Sequence, residues 1–514
     1  MYISCRGIIK EGVLCQNVEV ELDLSGGLFS FLIVGLADKC ITESRERIMS
    51  AIKNSGFDSP KTKNHKITVS LVPAGIKKEG VLLDLPISIA YLTATGKIQN
   101  KNLNNSIFIG ELGLDGSIKQ NDSLASVAKF ILDNKINSQE VINLYSNFND
   151  EQVDLITELE LPNVRINNCT HLQELIHNLN FNNETRNIIK AKYSKEEGRA
   201  TNCELNTPPD KFKIDNIIGQ EKAKRALLIS LCGKYNMIIS GPPGVGKTML
   251  ASSAHQLLPT PNKAEYLELL STHNSLNRPF RSPHHTSSYS SIVGGGNPIT
   301  SGEITKAHMG ILFLDELPEF NKNIIESLRQ PLEQKIIQIN RANDTITMPC
   351  DTICICAMNQ CPCGNRGIPN MECRCTGNKI NIYKQKVSKP FLERFHVCIN
   401  LPYENTHQNR RSRSNITQGN DMFKTINTFH KSNIEHRIGF QWDEITEDLL
   451  QKSSDYRKLS MRAMNHIRDI SETIALIEII KNSDASYKKI SNRLVKIEKH
   501  HITEAISYKE DLFF

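Results

Sequence analysis

Ile238-Ile239-Ser240-Gly241-Pro242-Pro243-Gly244-Val245-Gly246-Lys247-Thr248, followed by MLASSAHQLL, is the stretch that decides the fold class. Ile238 to Ser240 reads as the end of an apolar strand, and Met249 onward reads as a helix. Between them lies a complete G-x-x-x-x-G-K-T loop in the strand–loop–helix setting that the motif requires. The glycines let backbone N–H groups turn inward around phosphate oxygens, and the next helix offers its N-terminus to the same anion. Lys247 is placed to reach the β and γ phosphates, and the Thr248 hydroxyl to bind Mg²⁺. Gly241, Pro242, Pro243, Gly244, Val245 and Gly246 form the wall of that loop. A phosphate loop on a strand places the region in the α/β class and makes ATP with Mg²⁺ the expected ligand.

Two further strands complete such a site. Gly310-Ile-Leu-Phe-Leu-Asp315-Glu316 is a buried strand ending in two carboxylates. Asp315 is expected to hold Mg²⁺ through water, and Glu316 to polarise the attacking water. Thr352-Ile-Cys-Ile-Cys-Ala-Met-Asn359 is a third strand, whose terminal amide can orient water beside the γ-phosphate.

Composition sets the frame. At 514 residues the chain is too long for one core, and 39% hydrophobic with 23% charged residues reads as soluble and globular. No apolar run is long enough for a membrane helix, and MYISCRGIIKEG lacks a signal pattern, so a cytoplasmic protein without membrane contact is expected. A net charge of +6 neither requires nor excludes nucleic acid. The 14 cysteines are expected to be reduced thiols.

Before the loop, Val18, Val20, Leu22 and Leu24 alternate with acidic residues, as do Ile67, Val69 and Leu71 with polar ones, which predicts half-buried strands. Thr42 to Asn54 reads as a helix. A second helix is expected over Leu85 to Thr95, with Asp84 as N-cap, Pro86 in its first turn and Gly96 as its stop. The expected organisation is an α+β domain over 1–180, a polar linker over 181–213, an ATPase core over 214–403 and a helical lid over 404–514. In that last region Met464, Ile467, Ile470, Ile474 and Ile477 recur at helical spacing.

RPFRSPHH (278–285), VGGGNPITSGEITKAHMGILFLDELPEF (293–320), SLRQPLE (327–333), AMNQCPCGNRG (357–367) and the later SMRAMNHI together resemble the ComM/YifB family of magnesium-chelatase-like AAA+ ATPases. The resemblance covers nearly the whole chain. It implies a Lon-protease-like N-terminal domain, a chelatase-type AAA+ P-loop module and a small helical lid. It further implies a homo-hexameric helicase that promotes branch migration of DNA, single-stranded or branched, during recombination in natural transformation. Carried over by motif, Arg394 in Pro-Phe-Leu-Glu-Arg-Phe resembles the arginine finger that reaches a neighbouring subunit's γ-phosphate. Arg462 in Leu-Ser-Met-Arg-Ala resembles the lid (sensor 2) arginine. A magnesium-chelatase-like subunit, or a remodelling ATPase acting on a protein partner, is the alternative.

Three other segments carry expectations. Arg278 to Ser301, with tandem His284 and His285, reads as a channel-facing loop. Lys335 to Met348 reads as a β-hairpin turning at Ala342–Asp344, with Arg341 near its tip as a DNA-backbone contact. Cys361-Pro-Cys363 and Cys373-Arg-Cys375 can surround one Zn²⁺, with a loop of free thiols as the other reading. In the N-terminal domain, Ile76-Lys77-Lys78-Glu79-Gly80 and Gly110–Gly116 resemble Lon landmarks. The position of the Lon serine nucleophile is Leu82 here, and the partner lysine falls near Ala125. Without a nucleophile, Ser–Lys proteolysis is unavailable and the domain is expected to be catalytically inert.

Overall fold

The computed structural model describes residues 1–11, 14–35, 39–73, 82–99, 103–134, 141–159, 161, 163–181, 213–296, 300–340, 345–403, 418–435, 439–482 and 494–510. The chain forms two compact units, one of Met1–Cys203 with Asn262–Leu276, the other of Glu204–Pro261 with Asn277–Phe514.

The first unit is built on seven strands: β1 (Tyr2–Glu11), β2 (Leu14–Gly26), β3 (Ser30–Val34), β4 (His65–Val72), β5 (Ser106–Phe108), β6 (Ile142–Ser146) and β7 (Val164–Asn168). Their order is β3-β4-β2-β1-β5-β6-β7. β1, β2 and β4 pair antiparallel, while β3–β4 and the run β1-β5-β6-β7 are parallel. The alternation read from the sequence is there: Val18, Val20 and Leu22 of β2 and Ile67, Val69 and Leu71 of β4 are buried. Helices α1 (Lys39–Asn54), α2 (Asp84–Ala94), α3 (Leu124–Asp133), α4 (Asp150–Glu158) and α5 (Leu172–Phe181) pack with these strands.

Every residue of α2 is buried, so it is a core helix with no solvent face. The N-cap position is Leu83, not Asp84. Asp84 is the first helical residue, and its carboxylate is spent elsewhere. It accepts from the Arg47 guanidinium at 2.9 and 3.3 Å and from the Leu112 backbone N–H at 3.3 Å. A buried carboxylate takes the strongest donors in reach, and Arg47 outcompetes a local cap. Gly96 does close the helix, with φ +74°. Leu82 is half-buried and packs with the α3 cluster, where Ala125 is buried. The Lys77–Gly80 stretch lies outside the described residues.

The helix Lys263–His273, which the sequence reading places inside the ATPase core, belongs to this first unit. Its Leu267 and Leu270 join Leu124, Val127, Ala128 and Ile131 of α3 in one apolar cluster. The Ser126 hydroxyl donates to the Ser271 carbonyl at 3.1 Å, and Lys129 pairs with Glu268 at 3.1 Å.

The second unit carries strands β8 (Met237–Ser240), β9 (Phe280–Arg281), β10 (Gly294–Gly295), β11 (Thr300–Ser301), β12 (Ile311–Leu314), β13 (Ile336–Asn340), β14 (Thr345–Pro349), β15 (Ile353–Met358) and β16 (Val397–Asn400). Five of them form an all-parallel sheet in the order β16-β8-β15-β12-β9. β8, β12 and β15 are buried along their whole length. They read as unbroken apolar runs because helices cover both faces of a parallel sheet. α6 (Glu221–Gly233) and α7 (Lys247–Leu257) lead into and out of β8. β13 and β14 form the expected antiparallel hairpin, whose residues 341–344, Arg341 among them, lie outside the described residues.

Helices Gln418–Glu435, Glu444–Arg457, Met461–Asn482 and Lys499–Ser507 make up the C-terminal region. Ile467, Ile470, Ile474 and Ile477 are fully buried along one helix, in the same cluster as Ile239 and Ile399 of the sheet. The chain then returns to the sheet: the Glu510 carboxylate accepts from the Asn400 backbone N–H at 2.6 Å. Residues 182–212 and 404–417 lie outside the described set.

Candidate active site

In an open parallel sheet, ligands bind at the carboxyl ends of the strands where neighbouring connections diverge. β8 lies between β15 and β16, and β15 lies beside β12. The register sets Ser240 opposite Met358 and Leu314 opposite Cys356. The phosphate loop, Asp315–Glu316 and Asn359 therefore leave three adjacent strands at the same edge.

The side chains meet there. Lys247 Nζ donates to the carbonyls of Gly241 at 2.7 Å and Pro242 at 2.8 Å, and to Asn359 Oδ1 at 2.9 Å. The Thr248 hydroxyl donates to Asp315 Oδ2 at 2.9 Å, so the two expected Mg²⁺ ligands share one spot. Asp315 Oδ1 accepts from the Glu316 backbone N–H at 2.9 Å. Glu316 has φ +52°, a left-handed conformation that turns its side chain away from the strand line. Gly244 and Gly246 have φ +80° and +95°, which a side chain would strain. Gly241 is needed for space, because a Cβ there would lie 2.7 Å from the Leu401 carbonyl oxygen. These features fit a nucleotide's phosphates: a left-handed glycine turn, the start of α7 and a buried cation. Burial pushes the Lys247 ammonium down to about 8, against the pull of Asp315 and Glu316.

Arg394 and Arg462 form a second group in the same unit. Both pair with the one carboxylate of Glu333, Arg394 Nη2 at 3.1 Å from Oε2 and Arg462 Nη2 on Oε1. Arg394 Nε also donates to the Arg329 carbonyl at 3.2 Å. Arg329 itself pairs with Glu326 at 2.8 Å. Burial and the neighbouring Arg462 lower the Arg394 pKa. Glu333 and Arg329 come from SLRQPLE, a stretch the sequence offered as a family signature without a role for either residue.

Two arginines of the stretch from Arg278 are engaged within the protein, while Ser282 to Ser291 are exposed or half-exposed. Arg278 is buried and donates to the Pro259 and Met309 carbonyls at 2.9 and 3.0 Å. Arg281 grips Glu303 with two bonds of 2.7 and 2.9 Å. His285 Nδ1 lies 3.5 Å from Glu316 Oε2, which brings one of the tandem histidines to the expected catalytic carboxylate. Only the fold reveals that, because 30 residues separate the two.

The four cysteines converge. Cys361 and Cys363 sulfurs are 3.4 Å apart, and Cys373 is 3.7 Å from each. All four Sγ atoms lie within 4.8 Å of one another. A Zn²⁺ with thiolates at about 2.3 Å requires S–S edges of about 3.8 Å, and a disulfide about 2 Å, so the spacing suits a metal. Backbone amides of Asn365 and Arg366 hydrogen-bond to Cys363 and Cys361, and the first of these holds the Cys363 thiol down at about 6. Cys350, Cys354 and Cys356 are buried core residues. Among the described residues a second group, Glu478, His500 and His501, has metal-like spacing. There His501 Nδ1 accepts from the Glu498 backbone N–H at 2.9 Å, which leaves Nε2 to donate to Glu478 at 3.2 Å. That histidine serves a helix cap and has no free lone pair.

Comparison with known proteins agrees with this geometry. Residues 213–409 match the profile of magnesium chelatase subunit ChlI, and residues 20–142 match a second profile of the ChlI subunit. The competence protein ComM of Haemophilus influenzae is 34% identical over 490 residues, 90% of this chain and 91% of that one. YifB of Salmonella typhimurium is 31% identical over 525 residues, 97% of this chain and 95% of that one. The chain belongs to the ComM/YifB family. This family member is also 29% identical over 192 residues to Lon protease 2 of Bacillus subtilis, covering 32% of this chain and 34% of that one. Its fold is thus an AAA+ module of the magnesium-chelatase type with a helical lid, together with a Lon-protease-like domain. Among the described residues no helix is long and apolar enough to cross a membrane.

Proposed function

We propose that this chain is an ATP-hydrolysing DNA motor of the ComM type, acting as a homo-hexameric ring in the cytoplasm to drive branch migration during recombination of incoming DNA. The observation that carries the ATPase reading is the meeting of Lys247, Thr248, Asp315, Glu316 and Asn359 at one sheet edge. In this reading Lys247 exchanges its carbonyl partners and Asn359 for phosphate oxygens. Thr248 and Asp315 would hold Mg²⁺, which would supply positive charge beside the phosphates. Glu316 accepts a proton from the attacking water, and Asn359 orients that water. The DNA half of the reading is supported by likeness to the competence protein along nine-tenths of the chain.

Arg394 and Arg462 act together in this scheme. Two guanidiniums share one carboxylate, so the group keeps positive charge to offer an anion. A neighbouring subunit's γ-phosphate would take both cations from Glu333, and Arg394 would stabilise the charge on the transferred phosphoryl group. Cys361, Cys363, Cys373 and Cys375 would hold one structural Zn²⁺. Arg341, near the hairpin turn, would touch DNA phosphates whatever the base.

The deciding experiment measures phosphate release by the purified protein with no DNA, with single strands and with a four-way junction, alongside displacement of a labelled strand from that junction. Junction DNA is expected to raise turnover severalfold and to be remodelled only with hydrolysable ATP. Robust ATPase without any binding to DNA would instead support the second reading, a chelatase-type remodeller of a protein, which the match to the ChlI profile favours.

A further inference from the structure

The cysteine loop follows Asn359 after a single residue, Gln360, and folds back on the phosphate loop. Gly364, with φ +79°, lies so close to Pro243 that a Cβ there would sit 3.2 Å from the proline ring. Gly367, with φ +84°, lies against Pro242 and Gln360, at 3.5 and 3.0 Å by the same measure. Both prolines belong to the stretch that cradles phosphate, and Pro242 offers the carbonyl that Lys247 grips.

The second cysteine pair leads directly into the helix Gly377–Gln385. Tyr383 on that helix is buried, and its hydroxyl takes a hydrogen bond from the backbone amide of Asn359. Lys386, one residue past the helix, pairs with Glu319 at 3.1 Å, three residues beyond Glu316. One pair of cysteines is thus tied to the phosphate loop, and the other to the base of Asn359 and the carboxylate turn. Cys361 is buried, Cys363 is exposed, and Cys373 and Cys375 are partly exposed.

We propose that the metal held by Cys361, Cys363, Cys373 and Cys375 and the nucleotide bind cooperatively, the closed cysteine loop acting as the outer wall of the phosphate loop. This rests on the zinc and ATP readings above. With the four thiolates on one ion, the loop cannot swing away, and Pro242, Pro243 and Asn359 stay where phosphate needs them. Without the ion, nothing joins the two cysteine pairs, and the loop loses the tie that keeps Gly364 and Gly367 against the prolines. Linkage makes the effect reciprocal: whatever factor the metal adds to nucleotide affinity, nucleotide adds to metal affinity.

The test uses the intact wild-type protein. Zinc content is first measured, then zinc is drawn off by a titrated zinc-selective chelator, with and without saturating Mg²⁺–ADP. Nucleotide is expected to raise the chelator concentration at half-removal about tenfold. Zinc-free protein, shown by circular dichroism to remain folded, is expected to bind a fluorescent ADP analogue about tenfold more weakly and to recover when Zn²⁺ is returned. In Lys247→Ala, which cannot take nucleotide, ADP is expected to leave the chelator midpoint unmoved. Equal midpoints in wild type with ADP demonstrably bound would overturn the cooperative wall and leave both site readings standing. Protein that neither carries nor takes up zinc would overturn the metal reading and this inference with it. Failure to bind any adenine nucleotide would overturn the ATP reading instead.

Discussion

The two sheets of this protein face the same polymer problem and put their charge to different use. In the first unit, the most buried charge among the described residues is Asp84 at the start of α2, and it pairs with Arg47 of α1. In the second unit, Lys247 at the start of α7 is also buried, but its hydrogen-bond partners are two carbonyls and an amide, none of them an anion. A closed ion pair holds a helix in place. A buried cation without a bound counter-ion costs solvation free energy and is ready to recover it from a phosphate. The first unit has Leu82 at the position of the Lon nucleophile, and the parallel sheet gathers Lys247, Thr248, Asp315 and Asn359 at one edge.

The largest expected effect tests that contrast directly. Lys247→Ala should abolish ATP binding measured by calorimetry, while Glu316→Gln should bind normally and lose at least about 10²-fold in phosphate release. Normal turnover by Glu316→Gln would remove Glu316 from the role of base. Next comes the arginine group. Arg394→Ala should bind nucleotide and lose about 10³-fold in turnover. Mixing it with Lys247→Ala protein should restore part of the rate, because some interfaces then combine an intact pocket with an intact arginine. Mixed rings that form and stay inactive would show that Arg394 does not act across subunits.

On the other side of the comparison, Arg47→Ala should strand Asp84 and lower the stability of the first unit by about 3 kcal/mol, read by chemical denaturation. Nucleotide affinity should be unchanged; a parallel loss would mean that the two sheets are not independent in this respect. The smallest effect is on pH. A free Lys247 that titrates near 8 is charged below that pH and neutral above it. Bound phosphate favours the charged form, so binding above about pH 8 must take up a proton. Affinity should be flat from pH 7 to 8 and then fall by at most tenfold per unit. A profile flat to pH 9.5 would mean that Lys247 is charged throughout.

The sequence picked out the residues that meet at the sheet edge because each stands out by spacing along a few residues: a glycine loop before a helix, two carboxylates after an apolar run, an amide after another. The same holds for the cysteine pairs and for the alternation in β2 and β4. Asp84 shows the limit of such reasoning. As a helix-starting aspartate it reads as a cap, and only the fold brings Arg47 within 2.9 Å to claim it.

By itself, then, the sequence determined the glycine loop before its helix, the two carboxylates that follow an apolar strand, the four-thiol set and a leucine at position 82. Tertiary structure alone decided that Arg394 and Arg462 share Glu333, that His285 approaches Glu316, that Gly364 and Gly367 lie against Pro243 and Pro242, and that Asn262–Leu276 belongs to the first unit. The reason is physical. The first group follows from short-range backbone geometry, which neighbours in the chain dictate. The second joins residues tens to more than a hundred positions apart, and such pairs are chosen by how strands and helices pack, which no local pattern encodes.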